Sequence, residues 1–379
     1  MRELLKIFGH PEKGIFTVVI AGTKGKGSTG YFLSEILRQS GLRVGFYHSP
    51  HLEGPRERIW IGGKPVSERD FSKGLLKIQR KLRKAHSKAF TYFEILTLLA
   101  SLLFKEKKAQ AAIFEVGMGG RLDATHVLPA KLMMLTPIHY DHEAFLGNTL
   151  AEITREKVAI LRPGCKVVVA PQEREVTREI QKVARKRRCR LEPPLYLKGM
   201  KTRLLGDFQK LNAAMAFRAA AILRESHHFP ITEDAMRRGI SSNHWPGRME
   251  VFSGKPSILL DGAHNPKSVE VLSRNLNRIF GARRKILIFG TSRDKRSERM
   301  FPFLSKVFDV CILTQSDNSR AKEVSALLSE ARPHFKTLLP TASSKEALEL
   351  AQKLAFPGDL IVATGSFYLI GEIRPECRN

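Results

Sequence analysis

The residues with the clearest chemical potential lie in the stretch TVVIAGTKGKGST, positions 17–29. The apolar run Thr17–Ala21 reads as a buried strand. It enters a turn carrying Gly22, Gly25 and Gly27, and a helix opens near Gly27. Glycine permits positive φ and lets a backbone approach a ligand closely. The N–H groups of such a turn, backed by a helix N-terminus, form a nest for phosphate. In that reading Lys26 reaches the outer phosphates and the Ser28 hydroxyl ligates Mg²⁺. Thr23 and Thr29 bracket the loop and belong to the same nucleotide-binding set. The spacing departs from G-x-x-x-x-G-K-[ST], since two residues separate Gly22 from Gly25 and Gly27 precedes Ser28. An ordinary strand-to-helix turn is the alternative for this pattern taken alone.

Further candidates stand at the ends of other apolar runs. Leu42–Tyr47 reads as a strand ending in His48-Ser49-Pro50-His51, where a simple turn with a helix cap is the competing explanation for Ser49. Ala109–Val116 carries Glu115 near its end, just before Gly117-Met118-Gly119-Gly120. A carboxylate there can hold Mg²⁺ or a water, or can serve only as a cap or ion-pair partner. Lys131–Pro137 runs into Ile138-His139-Tyr140-Asp141-His142, a candidate metal or acid/base cluster. Lys157 sits on the helix expected over Thr149–Leu161. A protonated ammonium facing such a cluster would repel a metal; the alternatives are that Lys157 points to solvent or pairs with a carboxylate such as Asp141.

Apart from Lys157, these positions share one property: each follows a strand, and in open α/β sheets ligands bind beyond the carboxyl ends of strands. Helices are expected over Gly30–Gln39, from the Ser67 cap to about Lys84, over Tyr92–Phe104 with Tyr92 and Phe93 in the core, over Leu211–Arg224 and over Thr232–Arg238. Arg56–Ile61 before Gly62-Gly63 and Lys166–Ala170 read as further strands. Trp245-Pro246-Gly247-Arg248 reads as a linker, after which the alternation restarts. Strands at Ser257–Leu260, Lys285–Phe289, Asp309–Leu313 and Leu360–Thr364 alternate with helices and build a second parallel α/β domain. The expected domains are 1–244 and 249–379, closing on nucleotide to exclude water.

Composition sets the limits. A chain of 379 residues with 42% hydrophobic content can build two or three cores. No run of about 18 apolar residues marks a membrane span, and the first residues lack a signal-peptide pattern. Cys165, Cys189, Cys311 and Cys377 show no C-x-x-C spacing, which fits a reducing cytoplasm. A surplus of 64 Lys plus Arg over 37 Asp plus Glu gives +27 and favours anionic partners. The densest basic run, residues 185–190, closes a helical pattern beginning near Glu173, where cations complement the helix dipole.

Taken together, AGTKGKGST (21–29), HSPHL (48–52), RERIWIGGKPVS (56–67), FEVGMGGRLDAT (114–125), DHEAFLGNTLAEITREKVAI (141–160), WPGRMEV (245–251), LLDGAHNP (259–266) and TGSFYLIGE (364–372) resemble the folylpolyglutamate synthase/dihydrofolate synthase family of the Mur ligase superfamily. The resemblance implies an N-terminal P-loop-type parallel-sheet ATPase domain and a smaller C-terminal Rossmann-like α/β domain. It implies a monomeric, cytoplasmic, ATP-dependent ligase joining L-glutamate to a folate or dihydropteroate through an acyl phosphate, with neither membrane nor nucleic acid as partner. Carried over by motif, Gly25, Lys26, Gly27 and Ser28 form the phosphate loop. Ser28, Ser49, Glu115, His142 and Lys157 serve two Mg²⁺ ions, Lys157 as a carbamate; Lys26, His142 and Lys157 form the catalytic set. Gln209, Asn212, Arg248, Asp261 and His264 meet the nucleotide. Gly206-Asp207-Phe208-Gln209 departs from the family's Gly-Arg-His-Gln and removes part of the adenine-side contact. Only residues 1–16 precede the first strand, which implies a preference for extending folates over making dihydrofolate. The function classes left in competition are a nucleic-acid-associated NTPase, suggested by the charge, and a Mur-type ligase acting on another acid.

Overall fold

The computed structural model describes residues 1–85, 89–241 and 245–378. The chain forms two compact units. One comprises 1–50, 55–203 and 208–243; the other comprises 51–54, 204–207 and 244–379. A single cut at 244, itself outside the described residues, does not anticipate the two short segments that group with the C-terminal unit. Within that unit Arg374 holds Glu53 by an ion pair of 2.5 Å, and Arg278 holds Asp207 at 3.0 Å.

The first unit contains an eight-stranded sheet. Its strands in chain order are β1 (Phe16–Ala21), β2 (Val44–Tyr47), β3 (Ile59–Ile61), β4 (Lys64–Pro65), β5 (Ala111–Glu115), β6 (Ala130–Leu135), β7 (Lys166–Val169) and β8 (Arg190–Glu192). In space they run β4-β3-β2-β5-β1-β6-β7-β8. All pairings are parallel except the hairpin β2-β3-β4. Continuous burial along β1, β2 and β5 accounts for their apolar runs, because helices cover both faces of a parallel sheet. The register sets Ile20 beside Glu115 and Ala21 beside Leu135. The loops that follow β1, β2, β5 and β6 therefore emerge along one edge.

Several expectations needed correction. Residues 55–58 form a 3₁₀ turn rather than the start of a strand, with Trp60 Nε1 donating to the Glu57 carbonyl across it. Tyr92, the first residue of its helix, is 56% exposed, with the Arg58 guanidinium 5.5 Å from its ring centroid. The helix carrying Lys157 spans Leu150–Val158, with Thr149 and Glu152 forming a capping box. Strand β8 is short and lies at the sheet's edge, so its apolar pattern is weak.

The second unit holds a six-stranded sheet, with strands β9 (Glu250–Phe252), β10 (Ser257–Leu260), β11 (Lys285–Phe289), β12 (Val310–Leu313), β13 (Thr337–Pro340) and β14 (Leu360–Thr364). Their order is β13-β12-β11-β14-β10-β9. It is parallel except for β9, which pairs antiparallel with β10.

Candidate functional site

The helix after β1 spans Lys26–Gln39 and is capped by Gly25 in the left-handed conformation, φ 82°. No side chain caps it and no acid stands in its first turn. Its N-terminal N–H groups and positive dipole end therefore face the loop without a competing carboxylate. Two glycines shape the approach. A Cβ on Gly22, φ 141°, would stand 2.0 Å from Thr136 Oγ1, and one on Gly25 would stand 2.4 Å from Asn212 Oδ1. Thr23 pins the loop to the neighbouring strand end. Its hydroxyl donates to the His139 carbonyl and accepts from the His139 N–H, each at 3.1 Å, while its N–H donates to the Pro137 carbonyl.

Glu115 ends β5 almost fully buried. One carboxylate oxygen accepts from the Ser49 N–H at 3.2 Å, and the other lies 3.8 Å from Lys26 Nζ. Gly27, Ser28 and Thr29 are buried in the helix's first turn. The Thr29 hydroxyl donates to Asn212 Oδ1 at 3.3 Å, and Asn212 Nδ2 donates to Gln209 Oε1 at 2.9 Å. Gln209 Nε2 is buried with no hydrogen-bond partner among the described residues. A buried amide donor without an acceptor is costly, and an oxygen or nitrogen acceptor from a ligand would relieve it.

Lys157 is 3% exposed, and its ammonium donates to the Gly22 carbonyl at 3.1 Å. Burial, with Lys26 adding repulsion, brings its pKa down from 10.5 to about 7; Asp141 and Asp123 oppose the shift. Both readings that placed Lys157 in solvent or in a carboxylate ion pair give way to an amine buried against the glycine-containing loop after β1. His142 takes φ 53° and its N–H donates to Asp141 Oδ1; its ring Nε2 is 3.9 Å from the same oxygen. No three His, Cys, Asp or Glu side chains converge as a metal cluster among the described residues. The cluster read at His139, Asp141 and His142 is thus not formed as a three-ligand set.

One contributor escaped the sequence reading. Asp123, half-buried, accepts from the N–H groups of Gly117 and Met118 through one oxygen and from Thr125 through the other. It fixes the glycine-rich loop after β5, and the Gly120 face of that loop packs on the backbone of Glu156 and Lys157. The signal was an aspartate closing a Gly-rich turn.

In the second unit Arg248, Asp261 and His264 form their own group. The Arg248 guanidinium lies 4.6 Å from the Phe367 ring centroid, and the His264 ring lies 5.7 Å from the same ring, tilted by 58°. Asp261 accepts from Met249 N–H and Ala263 N–H, both at 2.9 Å. Burial pushes its carboxyl upward while Arg248 pulls it back. His264 Nδ1 donates to the Gly262 carbonyl at 2.7 Å, leaving Nε2 as the ring's second polar atom.

Comparison with known proteins agrees with this arrangement. The Mur ligase middle domain matches residues 20–193, and the Mur ligase, glutamate ligase domain matches 247–367. The dihydrofolate synthase/folylpolyglutamate synthase of Bacillus subtilis is 30% identical over 407 aligned positions, covering 100% of this chain and 94% of the relative. Among solved structures, Mycobacterium tuberculosis folylpolyglutamate synthase complexed with ADP and AMPPCP superposes with a TM-score of 0.91 at 27% identity, covering 99% and 94% of the two chains. The bifunctional Yersinia pestis enzyme complexed with AMPPNP and Mn ion gives 0.87 at 28% identity, covering 100% and 92%.

Proposed function

Because this chain belongs to the folylpolyglutamate synthase/dihydrofolate synthase family of the Mur ligases, we propose a division of labour among its residues in ATP-dependent ligation of L-glutamate to a folate. A carboxylate oxygen of the folate attacks the γ-phosphorus of ATP, and ADP leaves. The amine of glutamate then attacks the acyl carbon of the resulting acyl phosphate, phosphate departs, and one proton is lost from the nitrogen.

The observation that carries the reading is the uncapped helix N-terminus at Gly25, with Lys26 beside the buried Glu115. Backbone N–H groups of Gly25, Gly27 and Ser28 cradle phosphate, and Lys26 neutralises charge that builds during transfer. Thr23 and Thr29 hold the loop in place through His139 and Asn212. The orphan amide of Gln209 fits an acceptor on the nucleotide. Arg248, Asp261 and His264 are assigned to nucleotide binding on the family pattern.

The donor set suits a hard divalent cation: the Glu115 carboxylate, the Ser28 and Ser49 hydroxyls, His142, and Lys157 as a carbamate. Mg²⁺ keeps waters and substrate phosphates among its ligands, so a few protein donors suffice to hold it. When bound, the metal supplies charge neutralisation across the phosphates. A neutral Lys157 amine is the form that reacts with CO₂, and its lowered pKa favours that form. The reading includes a monomeric enzyme acting on small anionic substrates rather than on nucleic acid. No helix among the described residues is long and apolar enough to cross a membrane.

The test is mass spectrometry of products formed with ATP, Mg²⁺, glutamate, and either tetrahydrofolate or dihydropteroate. Addition of glutamate, with ATP turnover dependent on the pterin substrate, is the expected result. ATP turnover that responds instead to RNA or DNA would overturn the reading.

A further inference from the structure

The helix Glu68–Lys84 bears a line of cations that the ligase chemistry leaves unused. Arg69, Lys73, Lys77, Arg80 and Lys84 recur at intervals of three or four and are all exposed. At 3.6 residues per turn they fall within an arc of about 80°, and at 1.5 Å per residue they span about 22 Å. Their side chains flank a shallow groove along the helix. None of the five makes an ion pair among the described residues. The acid of this helix that is paired, Asp70, is occupied by Lys107 at 2.9 Å. The opposite face buries Phe71 and Ile78. The helix is thus docked by its apolar side and leaves a cationic stripe outward.

The stripe begins at the edge of the sheet that carries the phosphate site. Ile59 pairs with Tyr47, two residues before Ser49, and the Val66 N–H donates to the Ile59 carbonyl. Ser67 then caps the helix, and Arg69 follows at that edge. From there the stripe leads away along the helix.

We propose that this stripe binds the polyglutamate tail of the folate substrate, holding residues already added while the terminal carboxylate lies at the phosphate site. The inference rests on the ligase reading above. Charge complementarity selects the occupant. Each added glutamate brings one free carboxylate whichever of its carboxyls is linked. The repeat is about 3.5 Å for an extended α-linked chain and about 6 Å for one linked through the side chain, which has five main-chain bonds per residue rather than three. The cations recur every 4.5–6 Å or so along the helix. A membrane surface fits less well, because the helix's apolar face is already buried and Leu76 alone stands out among the basic side chains.

The test compares wild type with a variant in which Arg69, Lys73, Lys77, Arg80 and Lys84 are all replaced by Gln, a good helix former. A milder Lys77→Gln/Arg80→Gln pair guards against misfolding. Two readouts are needed: KM for tetrahydrofolates bearing one or five glutamates, and equilibrium binding of fluorescein-labelled pentaglutamate without ATP. The five-site variant should raise KM for the pentaglutamate substrate roughly tenfold and weaken labelled-peptide binding to match, as a sum of small exposed contacts. The pair should show a smaller loss. Turnover of the monoglutamate substrate should not change. Unaltered pentaglutamate binding overturns the proposal, as does an equal loss on both substrates. So does a variant that loses an RNA oligonucleotide or phosphatidylserine vesicles while keeping pentaglutamate. If wild type turned over neither folate, the ligase reading would fall, while the peptide titration would still decide the stripe.

Discussion

Replacing Lys157 by Met removes an amine that the fold holds out of water. The ammonium is 3% exposed, bonded to the Gly22 carbonyl and close to Lys26. With its pKa lowered from 10.5 to about 7, about half of the side chain is neutral at pH 7, against roughly 1 in 3,000 for an ordinary lysine. The sign follows from proton counts. Below pH 7 both folded and unfolded chains hold the proton, and burying the charged amine costs stability on the order of 5 kcal/mol. Between pH 7 and 10.5 the unfolded chain binds more protons than the folded one, so the cost fades as pH rises. The lost hydrogen bond to Gly22 offsets about 1 kcal/mol of the gain from Lys157→Met. In CO₂-free buffer without nucleotide, urea titrations should find the Met variant more stable than wild type by several kcal/mol at pH 6. The gap should close towards pH 10. Turnover should nevertheless drop by at least about a hundredfold in the variant, and in Lys157→Ala, which leaves a cavity, small carboxylates should partly restore it. Wild type in ¹³C-bicarbonate should show a carbamate resonance that the variant lacks. A stability difference independent of pH would refute the desolvated amine. Turnover in the variant near the wild-type rate, or no carbamate signal, would refute its modification.

Other outcomes test the remainder of the site. Lys26→Ala should leave the fold intact and cut ATP turnover by about a hundredfold or more, measured by phosphate release. Gly25→Ala places a methyl 2.4 Å from Asn212 Oδ1 at φ 82°; it should cost about 1–3 kcal/mol in thermal unfolding and weaken ATP binding by calorimetry. Glu115→Gln should raise the Mg²⁺ concentration needed for half-maximal rate, and an unchanged Mg²⁺ titration would remove Glu115 from the metal set. KM for long-tailed folates should rise with ionic strength more steeply than KM for the monoglutamate, and parallel salt dependence would count against electrostatic capture of the tail.

What the sequence made legible follows from where a signal is local. Strands β1, β5, β10, β11 and β14 read as unbroken apolar runs because helices bury both faces of a parallel sheet. The Ser67 cap was readable because an N-cap needs one oxygen at one position, and its hydroxyl does accept from the Asp70 N–H. Strands β8, β9 and β13 lie at or near sheet edges with three or four residues each, too few to establish a period. Tyr92 misled because an aromatic residue at the head of an apolar helix carries no mark of which way the first turn faces.

Lys157 shows where such reading stops. Nothing in Thr154-Arg155-Glu156-Lys157 distinguishes a surface lysine from a buried one, and the neighbouring Arg155 does lie outward, paired with Glu179. The burial is produced by partners far away in the chain. Gly22, 135 residues earlier, presents its carbonyl from a position with φ 141° where a side chain would collide with Thr136. Gly120 lets the loop after β5 close onto the Lys157 backbone, and Asp123 holds that loop in shape. The glycines were visible as candidates for phosphate contact; that they also make room for an amine is a property of tertiary packing. One set of missing side chains thus lets the loop after β1 pack closely and lets the chain close over Lys157. Bulk added at Gly22 or Gly120 should therefore disturb nucleotide binding and the titration of Lys157 together.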